Sequence, residues 1–317
     1  MRTAHEPDPS KIFISRRQFL AATSVLASAP LWSWPAFAAT PYTFSQGDFE
    51  ILVVSDGELT LPASLLAPDA PPEELKALLE ITGQGPEQVT AATNPTVIRA
   101  GDDIILVDNG SGNKFQPTAG KLVENLKGTG IEPESVTKLV FSHAHPDHIW
   151  GTLKGDGILT FPNATYYVNS AEWDFWMAPD ILTKMPQAFH DFARGAQRDL
   201  AAVKERAVMM KPGDDIVTGI KVLDTAGHTP GHISLEVAGE DGLIIVADAI
   251  THQTVFFAHP EWRSGFDVIH DLAAQNKKAL LERAATDKTR LLGFHWTYPG
   301  VGHAERKDGA YRFVAAT

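Results

Sequence analysis

The sequence predicts a mixed α/β protein that contains at least two β-sheets with helices on their outer faces. Continuous apolar runs of four to six residues recur along the chain, as in strands that are covered on both faces. Segments with apolar residues three or four positions apart, typical of amphipathic helices, lie between some of these runs. Of the 317 residues, 44% are hydrophobic and 21% are charged, which excludes a disordered chain.

The apolar runs predict the strands, and the helical periodicity predicts the helices. The predicted strands are Glu50–Val54, Thr96–Arg99, Ile104–Val107, Lys138–Ser142, Thr165–Val168, Lys221–Leu223, Ser234–Val237, Leu243–Val246 and Arg290–Phe294. The predicted helices are Glu73–Glu80, Leu122–Lys127, the segment from Phe189 to Val203, and Asp271–Ala285. Pro71 and Pro72 favour the start of the first of these helices, because proline fits the first helical turn.

The first 38 residues have the pattern of a signal peptide. Arg16 and Arg17 lie directly before an apolar run from Phe19 to Trp34, and Ala36-Phe37-Ala38 is a small-x-small cleavage site. The paired arginines resemble a twin-arginine export signal, with an ordinary secretory signal as the alternative. We therefore expect a periplasmic or secreted protein whose residues 39–317 form a single domain.

Charge and cysteine content exclude several classes of partner and site. The formal net charge of -12 argues against nucleic acid or an anionic membrane surface as a partner, because both would be repelled. The chain has no cysteine, which excludes disulfides, thiolate zinc sites, iron–sulfur clusters and a cysteine nucleophile.

The residue types that bind metals are concentrated after one predicted strand. His143, His145, Asp147 and His148 lie within six residues directly after the run that ends at Ser142. Imidazole and carboxylate groups are the donors that suit zinc, manganese, iron or cobalt. A polar loop with surface histidines is the alternative, but the position after a buried strand argues against it. The segment therefore predicts a metal site.

Further candidate donors follow four other apolar runs. They are Asp108, His228, Asp248 and His295. Each of them alone has a simpler explanation, since a strand-terminal aspartate is often a turn former and a buried histidine is often only hydrogen bonded. Donors at the same end of several strands are, however, what a binuclear site requires.

The order and context of these segments resemble the metallo-β-lactamase superfamily, and the resemblance extends from about Phe49 to His303. It implies an αβ/βα four-layer sandwich with the site at one edge of two facing sheets. It also implies one metal ion bound by His143, His145 and His228, a second bound by Asp147, His148 and His295, and Asp248 as the bridge between them. Asp108 would support the site by hydrogen bonding, and His232 would have a local structural role.

Within that superfamily, other segments resemble the methyl parathion hydrolase branch. They are Ser55–Leu59, Ala247–His252, Val255–Phe257 and Phe294–His303. The branch implies an exported homodimer that uses two divalent ions. The imidazole and carboxylate donors favour zinc, and manganese, cobalt or iron fit the same donors. The branch also implies hydrolysis of organophosphate triesters, neutral esters or lactones. From the two-metal site itself we expect a metal-bridging hydroxide as the nucleophile, with Asp147 or Asp248 relaying a proton to the leaving group. The alternatives are a quorum-quenching acyl-homoserine lactonase and an all-histidine type of β-lactamase.

Aromatic residues after the first metal motif are candidates for a substrate pocket. The expected pocket residues are Trp173, Trp176, Phe189, Phe192 and Phe256. Core packing is the alternative for about half of them, since aromatic residues contribute large buried areas to protein cores. An apolar pocket would suit small uncharged substrates, whereas the acidic chain would repel phosphomonoesters.

Overall fold

A computed structural model of the chain describes residues 41–316, and these residues form two seven-stranded sheets and a two-stranded hairpin. The strands are β1 (Tyr42–Gln46), β2 (Phe49–Val53), β3 (Gly57–Pro62), β4 (Gln88–Thr93), β5 (Thr96–Ala100), β6 (Asp103–Val107), β7 (Lys138–Val140), β8 (Thr165–Asn169), β9 (Ala207–Met210), β10 (Asp215–Val217), β11 (Ile220–Asp224), β12 (Ile233–Val237), β13 (Leu243–Ala247), β14 (Arg290–Gly293), β15 (Val301–Lys307) and β16 (Ala310–Ala315). The first sheet has the order β1-β2-β5-β6-β7-β8-β9, the second runs from β10 to β16 in sequence order, and β3 pairs with β4.

Nine α-helices lie among the described residues. They are α1 (Ala63–Leu66), α2 (Pro72–Ile81), α3 (Leu122–Gly128), α4 (Pro146–Ile149), α5 (Ser170–Trp176), α6 (Ile181–Lys184), α7 (His190–Val203), α8 (Val255–Ala258) and α9 (His270–Asp287). None of the helices in residues 41–316 has the length and apolar content that crossing a bilayer would require.

The central core lies between the two sheets. On β6, Ile105 and Val107 belong to this core, whereas Leu106 between them packs on the outer side of the first sheet. Strand β13 shows the same alternation, with Ile245 in the central core and Ile244 on the outer side of the second sheet. Both faces of these strands are therefore buried, which explains their continuous apolar sequences.

Helices cover the outer face of each sheet. Residues of α3, α5 and α7 pack against the first sheet, and residues of α2, α8 and α9 pack against the second. The layers are therefore helix, sheet, sheet and helix. This arrangement confirms the predicted four-layer α/β sandwich.

All nine predicted strands are present, with bounds that shift by one or two residues. Ser142 and Phe294, predicted as strand ends, lie in the loops after β7 and β14. The predicted signal peptide, residues 1–38, lies outside the described residues, and the assignment of residues 39–317 to one domain stays a prediction.

Parallel pairing brings the candidate metal-binding residues to one edge of the sandwich. Strand β6 is parallel to β7, and β13 is parallel to β14. The carboxyl ends of parallel neighbours lie at the same sheet edge, so the loops that follow these strands are adjacent. Asp108, the loop before α4, Asp248 and His295 all follow these four strands directly.

Candidate metal centre

The first metal motif is divided between an extended loop and one helical turn. Strand β7 ends at Val140, and His145 has an extended backbone with φ of -73° and ψ of 159°. Pro146 then occupies the first turn of α4, where its missing N–H costs no helical hydrogen bond. The chain turns sharply at this point, so Asp147 and His148 approach the centre from a different direction than His145.

Seven side chains from four separate segments of the chain gather in two adjacent groups. One group is His143, His145, His228 and Asp248, and the other is Asp147, His148 and His295, with the potential ligand atoms of each group within 4.8 Å of one another. Asp248 lies between the groups. Its Oδ2 atom is 3.2 Å from His228 Nε2 and 3.3 Å from His295 Nε2, and its Oδ1 atom is 3.3 Å from His148 Nε2. This geometry suits a carboxylate shared by two ions.

The backbone is strained where two strands enter the centre. Asp108 has a φ of 60° and Ala247, directly before Asp248, has a φ of 46°. Residues other than glycine rarely adopt positive φ, and they do so mainly where the surrounding structure enforces it. The strain at Ala247 accompanies the sharp turn by which Asp248 leaves β13.

Asp108 supports the centre through hydrogen bonds. Its Oδ2 atom is 2.8 Å from His148 Nδ1 and accepts from the Ser142 hydroxyl at 2.7 Å, while its Oδ1 atom accepts from the Ser142 amide at 2.8 Å. A proton on His148 Nδ1 leaves Nε2 free to bind a metal.

Two further histidines are oriented in the same way. His228 Nδ1 is 3.1 Å from Asp267 Oδ1, and His295 Nδ1 is 2.9 Å from the Ala92 carbonyl oxygen. Both contacts place the proton on Nδ1 and direct Nε2 to the centre. Sequence reasoning missed Asp267, because it lies in an irregular loop outside any motif.

His232 acts on the backbone of Asp248. Its Nε2 atom accepts a hydrogen bond from the Asp248 amide at 3.0 Å, and its Nδ1 atom donates to the Thr225 hydroxyl at 2.9 Å. With both ring nitrogens engaged, this histidine has no nitrogen left to bind a metal. The contacts agree with the local structural role that the sequence indicates.

Glu172 joins the two loops that carry His145 and His228, and sequence reasoning missed it. The carboxylate is 1% exposed and accepts hydrogen bonds from the Ala144 amide (2.9 Å), Trp176 Nε1 (2.6 Å), the Thr229 hydroxyl (2.6 Å) and the Gly231 amide (3.0 Å). A Cβ on Gly231 would lie 2.0 Å from the Glu172 amide nitrogen, so only glycine permits this approach. Burial raises the pKa of Glu172, although all four donors oppose that shift.

Burial and mutual charges shift the pKa values of the centre in opposite directions. Burial lowers the pKa of His143 and His145, which also lie among other imidazoles. Burial also opposes protonation of His228 and His295, but carboxylates outweigh it. Asp248 and Asp267 raise the pKa of His228 to about 9, and Asp248 and Asp147 raise the pKa of His295 to about 10. Without metal, these two imidazoles therefore hold protons that a metal ion would have to displace.

The centre contains buried polar atoms whose partners are missing. His143 Nε2, Asp147 Oδ2, His148 Nε2 and Asp248 Oδ1 make no hydrogen bond within the described residues. Buried polar atoms without partners are costly, and a bound cation would satisfy all four. The donors are imidazoles and carboxylates only, which fits zinc and also manganese, cobalt or iron. The residues present therefore fit two divalent ions.

An apolar pocket opens directly onto the centre. Asp147, His145, His228, Asp248 and His295 form its floor. The β3–β4 hairpin supplies Leu59, Leu61, Val89 and Ala91, and the remaining apolar wall includes Phe115, Phe192 and Phe266. No lysine or arginine of residues 41–316 is among the pocket-lining residues.

Of the five aromatic residues predicted to form the substrate pocket, the structure places only Phe192 in the pocket wall. Phe192 lines the pocket, but Phe256 is fully buried in the core beside the second sheet. Trp176 is also fully buried in the core outside the first sheet, and its indole N–H donates to Glu172. Trp173 and Phe189 are partly buried against the core outside the first sheet and do not line the pocket.

A family model for the metallo-beta-lactamase superfamily matches residues 89–295. N-acyl homoserine lactonase AttM of Agrobacterium fabrum is 30% identical over 138 residues, which cover 40% of this chain and 46% of AttM. An N-acyl homoserine lactonase of a Bacillus species is 27% identical over 172 residues, which cover 53% of this chain and 59% of that protein. The chain thus spans about half the length of the curated relatives it matches.

Two solved structures match nearly the whole fold. One is AidC, a dizinc quorum-quenching lactonase in complex with a homoserine product, with a TM-score of 0.82 and 26% identity over 87% of this chain and 97% of AidC. The other is the hydrolase AbOPH of the beta lactamase superfamily, with a TM-score of 0.81 and 30% identity over 89% of this chain and 99% of AbOPH.

Proposed function

Because the chain belongs to the metallo-beta-lactamase superfamily and is a metal-dependent hydrolase, we propose that it opens the ring of N-acyl homoserine lactones or similar lactones with two divalent metal ions. The observation that carries the proposal is the position of the seven metal-binding side chains at the floor of an apolar pocket. The solved and curated relatives named as lactonases support the same substrate class.

The pocket favours an uncharged substrate with an apolar part. The side chains of the β3–β4 hairpin can contact an acyl chain, and each buried CH₂ contributes about 0.8 kcal/mol of binding free energy. Away from the proposed metal ions the pocket offers no lysine or arginine to a free phosphate or carboxylate, since none of the described pocket-lining residues is one.

The proposed ligands are His143, His145 and His228 for one ion and Asp147, His148 and His295 for the other, with Asp248 shared. Two divalent ions supply Lewis acidity and a water of lowered pKa. Asp108 and Asp267 hold His148 and His228 in the orientation that directs Nε2 inward. Asp147 and Asp248, both at the pocket floor, are the groups proposed to relay a proton to the leaving oxygen.

A substrate panel tests the proposal. The zinc-loaded protein would be assayed with N-hexanoyl homoserine lactone, dihydrocoumarin, paraoxon, p-nitrophenyl acetate and nitrocefin. We expect the highest kcat/KM on a lactone and loss of activity and bound metal in His145→Ala and Asp248→Ala. Failure to open any lactone, or full activity and metal content in either variant, would refute the proposal.

Phosphotriesters and aryl esters are the second candidate class. The segments Ala247–His252 and Phe294–His303 resemble the methyl parathion hydrolase branch, and the apolar wall of the pocket fits neutral triesters equally well. A higher kcat/KM for paraoxon than for every lactone would favour this class. Export by the signal at residues 1–38 and a homodimer remain proposals, to be tested by fractionation and by light scattering.

A further inference from the structure

His252 is a buried histidine in the pocket wall that is not part of the metal centre. It lies four residues after Asp248, is 5% exposed, and lines the pocket together with Asp147, Asp248 and His295. His252 is therefore a polar residue close to the candidate metal ligands, in a pocket wall that is otherwise largely apolar.

The hydrogen bonds of His252 determine which ring nitrogen carries its proton. Nδ1 accepts from the backbone amides of Thr254 and Val255, each at 3.2 Å, where α8 begins. An accepting Nδ1 has no proton, so the neutral ring carries its proton on Nε2. Burial lowers the pKa of His252 to about 4, which keeps the ring neutral at physiological pH.

The Nε2–H group of His252 has no partner among residues 41–316. Nε2 is not one of the fully buried unpartnered polar atoms of the described residues, so it is accessible from the pocket that His252 lines and can donate to a molecule bound there. A substrate that fills the pocket displaces water from it, and its carbonyl oxygen is then an acceptor for this N–H. Because Nδ1 is occupied by two amides, the ring cannot take up a proton there and acts only as a donor.

We propose that His252 is a further catalytic residue, whose Nε2–H donates a hydrogen bond to the carbonyl oxygen of the bound lactone or ester as negative charge develops on it. The inference rests on the proposed function, since it requires an acyl substrate in this pocket. No proton is transferred: the N–H bond stays intact and stabilises the charge electrostatically.

Asparagine and glutamine at this position separate the two roles of the ring. The amide of asparagine lies about where Nδ1 lies, so His252→Asn keeps an acceptor for the α8 amides but removes the donor in the pocket. The amide of glutamine reaches about as far as Nε2, so His252→Gln keeps a donor in the pocket but removes the acceptor near the backbone. His259→Asn is the matched control, since His259 contacts Glu74 and Glu261 and does not line the pocket.

In His252→Asn we expect kcat to fall about 100-fold, as after loss of one oxyanion donor, with KM, bound metal and Tm unchanged. In His252→Gln we expect kcat to stay within about tenfold of wild type while Tm falls by about 2 °C through loss of the cap. A structural role would make kcat follow Tm in both variants, and that result would overturn the inference. Wild-type kcat in His252→Asn would also overturn it.

Failure of the proposed function gives a different pattern. If the wild type hydrolyses another ester of the panel but no lactone, the lactonase proposal fails and the two variants are compared on that ester, with the same expectations. If the wild type hydrolyses no member of the panel, both proposals fail.

Discussion

Replacing Glu172 by glutamine should weaken metal binding at the group of His143, His145 and His228 more than at the group of Asp147, His148 and His295. Glu172 contacts the amide of Ala144, between His143 and His145, and the hydroxyl of Thr229, directly after His228. It therefore fixes the relative positions of two loops that supply three members of one group. The other group receives none of its side chains from the loop that contains Thr229.

The size of the effect follows from the four hydrogen bonds. Oε1 of Glu172 accepts from Ala144 and Trp176, and Oε2 accepts from Thr229 and Gly231. Glutamine retains one oxygen, so one pair of donors faces an amide NH₂ group. Thr229 can rotate its hydroxyl, but the Gly231 amide cannot, and one unsatisfied buried N–H costs about 1–3 kcal/mol. Loss of a residue that positions metal ligands by hydrogen bonding typically lowers metal affinity about 10- to 100-fold.

Competition with a chelator would measure both zinc affinities, and thermal unfolding of the metal-free protein would measure stability. We expect Glu172→Gln to lose about 10- to 100-fold in affinity at the His143, His145 and His228 group. The matched control is Asp199→Asn, which removes another buried carboxylate that binds Arg198 and touches neither loop. If Glu172→Gln and Asp199→Asn lose the same Tm and bind zinc equally well at the His143, His145 and His228 group, the reasoning is refuted.

Three further predictions address the orientation of a ligand, the pocket and pH. Asp267→Ala should weaken zinc binding about 10- to 100-fold in the same chelator assay, because His228 Nδ1 loses its acceptor; unchanged affinity would contradict this. Ala91→Phe should lower kcat/KM for a decanoyl lactone far more than for a butanoyl lactone, because Ala91 lines the apolar wall; an equal loss for both would remove the acyl chain from that wall. Stability contributed by neutral His252 is present above pH 6.5 and is lost as the pH falls towards its folded pKa of about 4. Between pH 7.5 and 5, urea unfolding of the metal-free wild type should therefore lose about 2 kcal/mol more than His252→Asn, and parallel pH profiles would contradict the assignment.

The sequence was sufficient to predict a mixed α/β fold with at least two sheets because its central strands are buried on both faces, and the resemblance to the superfamily implied the four layers. Strand β13, for example, is five buried residues without interruption. The strands at the periphery escaped prediction for the opposite reason. Strand β15 carries Glu305, Arg306 and Lys307 and is exposed over its second half, so its sequence lacks a continuous apolar run.

The candidate ligands were predictable because each follows an apolar run or lies in the dense histidine motif. Glu172 had no such signal: it lies in the first turn of α5, where an acidic residue is expected from the helix dipole alone. The pocket wall was hidden too, because the β3–β4 hairpin alternates apolar with polar or small residues and resembles an exposed segment. Phe256 was assigned to the pocket because an aromatic run does not reveal which side of α8 is buried.

The central claim is that seven side chains from four separate segments of the chain bind two metal ions, and a crystal structure of the zinc-loaded protein with anomalous diffraction tests it most directly. The account predicts two anomalous peaks: one with His143, His145 and His228, the other with Asp147, His148 and His295, and Asp248 between them. A single peak, or two peaks of which either lies away from these residues, would contradict it.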